Sequence, residues 1–350
     1  MSPAYKAVGW NRQKRLYDAV LAGAVPLYLA VFIGAGCILH PRATLETLLI
    51  RALGTAALFL LHVLLSIGPL CRLDERFLPL LYNRRHMGVT IFLLGLGHAV
   101  FCLIQFHALG DANPLVSVLA GNTDFRRVAE FPFELFGVLA LAILFLMAAT
   151  SHDFWLANLT APVWKMLHMG VYVAYAVLIL HVALGVLQAE TDPLLALVLG
   201  AGVAWILVLH LVAGWRERAD ERERAAGARD GFVDVCAVAD IPENRARVFC
   251  LGGERVAVFR YAGRISALSG VCQHQNGPLG EGCVLNGLVT CPWHGFQYRP
   301  DDGVSPPPFT EKVPTFHVRI AGARVLVDPR ANPPGSRVEP ATIPAGVADT

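Results

Sequence analysis

Charge is scarce in this sequence: of 350 residues, 16% are Asp, Glu, Lys or Arg while 55% are hydrophobic. That balance excludes one soluble domain, and the ordinary charge of the C-terminal part excludes one uniform membrane bundle. A net charge of +2 provides no basic surface for nucleic acid. No glycine-rich dinucleotide fingerprint stands out, so a nicotinamide-binding unit is not expected within the chain. The eight cysteines lie without disulfide-like spacing, as suits a reducing compartment.

What is present divides near residue 214. Before it run six long uncharged stretches, 19–39, 52–70, 87–106, 135–151, 166–187 and 194–213, each near the roughly 20 residues a helix needs to cross the hydrocarbon layer. The first is too long for a signal-peptide core and has no convincing cleavage site. Thirteen Lys and Arg sit in the N-terminal segment, the 71–86 loop, Lys165 and the stretch after the sixth span, against Arg42, Arg51, Arg126 and Arg127 on the other side. Positive charge is retained inside, so both termini are expected in the cytoplasm and the protein in the inner (plasma) membrane. Trp155, Trp164 and Trp215 are expected as interface anchors.

Five regions follow: a cytoplasmic segment (1–18), a six-span bundle (19–214), a helical stalk (215–230), a small antiparallel β domain (231–328) and a disordered tail (329–350) rich in Pro, Ala and Gly. The fold class is a membrane all-α six-helix bundle followed by a small all-β domain.

The β domain contains Cys272-Gln-His274, then sixteen residues, then Cys291-Pro-Trp-His294. Two thiolates and two imidazoles on short loops suit a [2Fe-2S] cluster with Cys on one iron and His on the other, or a Cys2His2 zinc site. The flanks Gly277-Pro278-Leu279 and Gly295-Phe296, with Glu281-Gly282 and Asn286-Gly287 between them, favour the cluster. Residues 231 to 328 resemble the Rieske family on these motifs. The resemblance implies Cys272, His274, Cys291 and His294 as cluster ligands. Respiratory-type members add a disulfide-forming Cys to each ligand loop. Here those places read Gln275-Asn276-Gly277 and Gly295-Phe296-Gln297, which implies the ferredoxin and oxygenase branch and a potential toward the lower end of the Rieske range. Pro306-Pro307-Pro308 is expected to form a third loop screening the cluster.

Histidines within spans are functional candidates, because unpaired polar groups there are costly. Arg84-Arg85-His86-Met87-Gly88, His98, Trp164-Lys165-Met166-Leu167-His168 and His181 resemble the ferric-reductase-like transmembrane family over about residues 50 to 190. The resemblance implies two b-type haems held between the third and fifth helices. His168 and His181, thirteen residues or about 20 Å apart along a helix, address one haem near each face. His98 and His181 are the outer pair. His168 is an inner ligand whose partner is His86 or, competing from helix 2, His62, because the family's usual position is Arg84. Arg84 and Arg85 are candidates for the haem propionates. His40, His107, His152 and His210 are expected to serve as interfacial hydrogen-bonding groups, and His317 as a surface residue.

Together these imply an oxidoreductase component that moves electrons across the membrane. A cytosolic flavin reductase or ferredoxin-like donor would feed the cluster, then b-type haem, then an outer acceptor. Two alternatives remain: a membrane-anchored Rieske carrier serving a cytosolic oxygenase, and quinol-linked transfer in the opposite direction.

Overall fold

A computed structural model describes residues 12–344 and 346, other than 82, 109, 121–125, 127–130, 152–160, 186–192, 227–229, 275–276 and 293–294. The described residues divide into two compact units that meet between residues 213 and 214.

The first unit is helical: α1 (Arg12–Leu39), α2 (Leu45–Leu73), α3 (Arg84–His107), α4 (Pro114–Ala120), α5 (Glu134–Ala149), α6 (Ala161–His168), α7 (Gly170–Leu184) and α8 (Pro193–Ala226), the last running on into the second unit. Among the described residues, five stretches are long and apolar enough to cross a membrane, Arg15–Leu39, Leu45–Leu73, Arg84–His107, Met166–Leu184 and Pro193–Arg222, and Glu134–Ala149 is a shorter apolar helix. The bundle turns apolar side chains both ways. Leu61, Ile91, Leu144, Ala174 and Ile206 close its core, while Leu93, Phe106, Val173, Leu197 and Leu211 face outward. An apolar exterior is what lipid requires of a multi-pass protein. Thr44 caps α2, its hydroxyl accepting from the Thr47 amide at 3.3 Å. The stretch Met166–Leu184 has a joint at Met169 between α6 and α7, where the Tyr172 amide reaches Met169 O at 3.2 Å, an i→i+3 bond that tightens the turn without ending the span.

Beyond the end of α8, the second unit is an all-β domain with eleven strands among the described residues. They are β1 (Val233–Ala237), β2 (Arg245–Leu251), β3 (Glu254–Tyr261), β4 (Arg264–Ser269), β5 (Cys283–Leu285), β6 (Leu288–Thr290), β7 (Gln297–Tyr298), β8 (Thr315–Phe316), β9 (Val318–Ala321), β10 (Arg324–Val327) and β11 (Ala341–Thr342). Three sheets form, β1-β10-β9, β11-β4-β3-β2 with β8 also on β4, and β5-β6-β7. Strand β3 shows how one sequence feeds two cores. Its period-2 alternation sends Val256 and Val258 into the core beneath the first sheet, and Ala257 and Phe259 into the core that contains Cys272 and Cys291. Asn286-Gly287, both at positive φ, makes the two-residue turn that joins β5 to β6. The stalk end of α8 is tied to the β2–β3 turn. Glu221 accepts from the Gly253 amide at 2.6 Å, and Arg255 pairs with Glu217 at 3.3 Å.

The tail corrects the sequence-based expectation of disorder from 329 to 350. Residues 329–344 lie along the β domain: the Asn332 amide reaches Thr315 O at 2.9 Å, the Val338 amide Asp301 O at 2.7 Å and the Ile343 amide Gly263 O at 2.9 Å. β11 pairs antiparallel with β4, and Ile343 is buried in the domain core. One buried apolar residue, Ile343, among many polar contacts leaves no periodicity to read. Residues 347–350 lie outside the described residues.

Candidate metal centres

In the β domain the two cysteine loops leave adjacent sheets. After β4 the chain turns at 270–279, closed by the Cys272 amide on Gly277 O at 2.9 Å and the Leu279 amide on Gly270 O at 2.8 Å. After β6 the second loop closes with the Cys291 amide on Phe296 O at 2.8 Å and the Gly295 amide on Cys291 O at 3.0 Å. Both thiols end in one core, 1% and 2% exposed. The His274 ring stacks on Phe296 of that core at 4.8 Å, with its Nδ1 buried. Phe309, which follows the Pro306–Pro308 segment, meets the Phe296 ring edge-on at 4.9 Å, so this segment supplies an aromatic layer behind His274. His294 and Trp293 lie outside the described residues. Two buried thiols and a buried imidazole nitrogen are soft and borderline donors, a set that fits an iron–sulfur cluster.

Tyr298, which the sequence reading did not single out, touches the first cysteine loop. Its hydroxyl accepts from the Gln273 amide at 3.0 Å and lies 3.3 Å from Cys272 Sγ. With its lone pair facing the amide, its hydrogen is available to the sulfur. Burial, and then the neighbouring Cys272 sulfur, hold the phenol well above its ordinary range, so it is a neutral donor. Position 298, four residues beyond His294 in a strand that pairs with β6, was the available signal.

Glu281 sits in a one-turn 3-10 segment between the ligand loops, and burial raises its carboxyl from 4.5 to about 7 against the opposing pull of Arg255. The folded state therefore binds more protons than the unfolded one between those values. Stability must fall as pH rises through that window, with the loss complete above about 7. Glu281→Gln should leave thermal unfolding of the intact protein unchanged near the acid end of the window and raise the midpoint above it, read from loss of the visible cluster absorption. An equal shift at both ends would refute the assignment.

In the helical unit, α3 and α7 bring His98 and His181 together, ring centroids 6.3 Å apart and planes at 88°. Each imidazole is fixed by a carbonyl of another helix or its approach: His98 Nδ1 on Ile50 O at 2.9 Å, His181 Nδ1 on Phe133 O at 3.0 Å. A carbonyl only accepts, so Nδ1 carries the proton in both and Nε2 is the basic nitrogen. Two imidazoles bound to one iron by bonds of about 2 Å each would have ring centres about 6 Å apart, a separation that this pair would suit. Space for the rings is cut into the facing helices. A Cβ at Gly54 would lie 2.9 Å from His98 Nδ1, and one at Gly137 would lie 2.8 Å from His181 Cε1. Cys102, one turn beyond His98, holds its sulfur 3.7 Å from His98 Nε2.

The other histidines are engaged separately. His168 sets Nδ1 on Trp164 O at 3.0 Å and Nε2 3.3 Å from Ser151 Oγ. Trp164 stacks on it at 3.8 Å, a specific contact where only an interface anchor was expected. His86 pairs through Nδ1 with Asp18 of α1 at 2.9 Å. His62 binds Leu58 O and the Tyr175 hydroxyl. Arg84 and Arg85 occupy the first turn of α3, with Arg84 in electrostatic reach of Tyr17, Cys71, Tyr172 and His168. His107 bonds Ser117, His210 bonds Tyr172, and His152 and Trp155 lie outside the described residues.

Known proteins match both halves. Residues 53–179 match the ferric reductase like transmembrane component family, and residues 231–317 the Rieske [2Fe-2S] domain family. The ferredoxin component of an alkene monooxygenase system from Xanthobacter autotrophicus is 33% identical over 97 residues, 27% of this chain and 80% of that protein. The ferredoxin subunit of a biphenyl dioxygenase from Pseudomonas sp. is 34% identical over 100 residues, 28% of this chain and 91% of its own. Human apoptosis-inducing factor 3 is 32% identical over 94 residues, 27% of this chain but 16% of that one, a module within a larger protein. The chain is thus a multi-pass membrane electron-transfer protein that joins a ferric-reductase-like transmembrane domain to a C-terminal domain of the Rieske [2Fe-2S] family.

Proposed function

We propose that this protein carries electrons from a cytosolic reductase, a flavoprotein or ferredoxin-like donor, through the Rieske centre and b-type haem to an acceptor on the outer side of the membrane. The observation that carries the reading is the His98–His181 pair, two Nδ1-anchored imidazoles facing across 6.3 Å inside a lipid-facing bundle. The cluster and haem would supply one-electron chemistry, and the protein tunes both through ligation, hydrogen bonding and burial.

Cys272, His274, Cys291 and His294 would hold the cluster, with Tyr298 donating to the Cys272 sulfur. His98 and His181 would hold the outer haem. An inner haem would use His168 and His86, since a ligating histidine commonly donates its second nitrogen to a carboxylate and Asp18 stands in that place. Arg84 and Arg85, at the same end of α3 as His86, would meet its propionates. His62 is placed behind His86 because its ring nitrogens meet Leu58 O and the Tyr175 hydroxyl rather than a carboxylate.

A second reading rests on the relatives, two of which are ferredoxin components of oxygenase systems. In it the bundle anchors a carrier that serves a cytosolic oxygenase. His98→Ala separates the two. In sealed vesicles with a chemical reductant on the Rieske side, the variant should still reduce its cluster while transfer to an acceptor on the opposite side stops. Undiminished transfer would sink the transmembrane reading.

A further inference from the structure

The geometry points to a role for His62 that iron ligation does not describe: with Tyr175 it forms a cross-helix latch that fixes α7, and thereby His181, against α2. The inference rests on the assignment of His181 as a haem ligand. His62 Nδ1 lies 2.9 Å from Leu58 O, one turn earlier on α2. That carbonyl can only accept, so Nδ1 bears the proton and Nε2 is the acceptor. The Tyr175 hydroxyl, 3.0 Å from Nε2, is then the donor, and the two rings meet edge-on at 5.3 Å and 83°. Both ring nitrogens of His62 are thus engaged.

The surroundings close the remaining side. A Cβ at Gly202 of α8 would lie 2.6 Å from His62 Nε2, so α8 packs its backbone directly onto the imidazole. One turn on, Ser66 donates to His62 O at 2.7 Å and accepts from Trp205 Nε1 at 2.9 Å. A short run of α2 therefore binds α7 on one side and α8 on the other through directed polar contacts.

Such contacts matter because packing of apolar side chains alone does not set the register of α7. Its sequence Gly170–Leu184 is almost wholly apolar, and lipid tails are as apolar as neighbouring helices, so burial alone does not stop sliding or rotation. A hydrogen bond has a direction. Tyr175 precedes His181 by six residues, about 9 Å along the same helix, and a helix transmits displacement over that distance as a rigid body. The latch thus acts on iron through His181, which makes His62 and Tyr175 positioning residues.

The test uses the full-length protein in detergent or lipid discs, and defines the outer haem as the one lost in His181→Ala. Tyr175→Phe should retain that haem yet change the equilibrium constant for its reduction two- to tenfold, up to about 59 mV for one electron, with an altered low-spin resonance signal. His62→Leu should reproduce both changes, and the double variant should add nothing further. His62→Gln keeps an acceptor for the phenol and should stay near the parent potential. Loss of a haem in His62→Leu would make His62 a ligand and overturn the latch, as would an unchanged potential and signal in Tyr175→Phe. Full haem retention in His181→Ala would instead overturn the ligand assignment, and the latch with it.

Discussion

His181→Ala should cost the protein one haem per polypeptide while leaving its iron–sulfur content intact. The imidazole is one of only two that face each other across 6.3 Å among the described residues, and alanine offers no lone pair in its place. The adjoining glycine gives a graded version of the same result. A methyl at position 137 would stand 2.8 Å from His181 Cε1 and 2.9 Å from Nδ1. The ring must then leave Phe133 O, losing the bond that fixes its tautomer and aims Nε2. Loss of such an outer contact weakens metal binding by about 10- to 100-fold. Gly137→Ala should therefore bind haem weakly and Gly137→Leu not at all at this site. Haem and iron content measured on purified protein, with reduced-minus-oxidised spectra, reads all three. Full retention of haem in both His181→Ala and His98→Ala would remove the pair from the electron path.

Much of this was legible beforehand. Six apolar stretches and two Cys/His pairs are strong signals because hydrocarbon thickness and cluster geometry constrain length and spacing tightly. The partners of the histidines were not legible. Asp18 meets His86 from 68 residues away, and Tyr175 meets His62 from 113, and no spacing rule reaches across helices. Depth along a span placed His62 and His86 as equals; only their neighbours separate them. The tail misled for the opposite reason. Its composition describes a chain that builds no core of its own, which is true, but it borrows one from β4.

The ligand loops hold a similar tension, and Tyr298→Phe resolves it. The ligand loops lack the additional cysteines of the respiratory type, and the resemblance to the ferredoxin and oxygenase branch implies a potential toward the lower end of the range. Tyr298 pulls the other way. Its hydroxyl lies 3.3 Å from Cys272 Sγ, and a ligating thiolate can only accept, so the phenol donates. Reduction adds negative charge to the centre, and a donor to sulfur stabilises the reduced state more than the oxidised one. A difference of about 1 kcal/mol between the two states, at 59 mV per tenfold for one electron, predicts a potential lower by roughly 40 mV in the phenylalanine variant. The same change strips the Gln273 amide of its acceptor, which should lower thermal stability as well. The two effects are separable, because a merely loosened loop would shed cluster without shifting the potential of what remains. A resonance-monitored redox titration of the intact protein measures the shift directly, and an unchanged or raised potential would show that the phenol does not donate to the ligand sulfur.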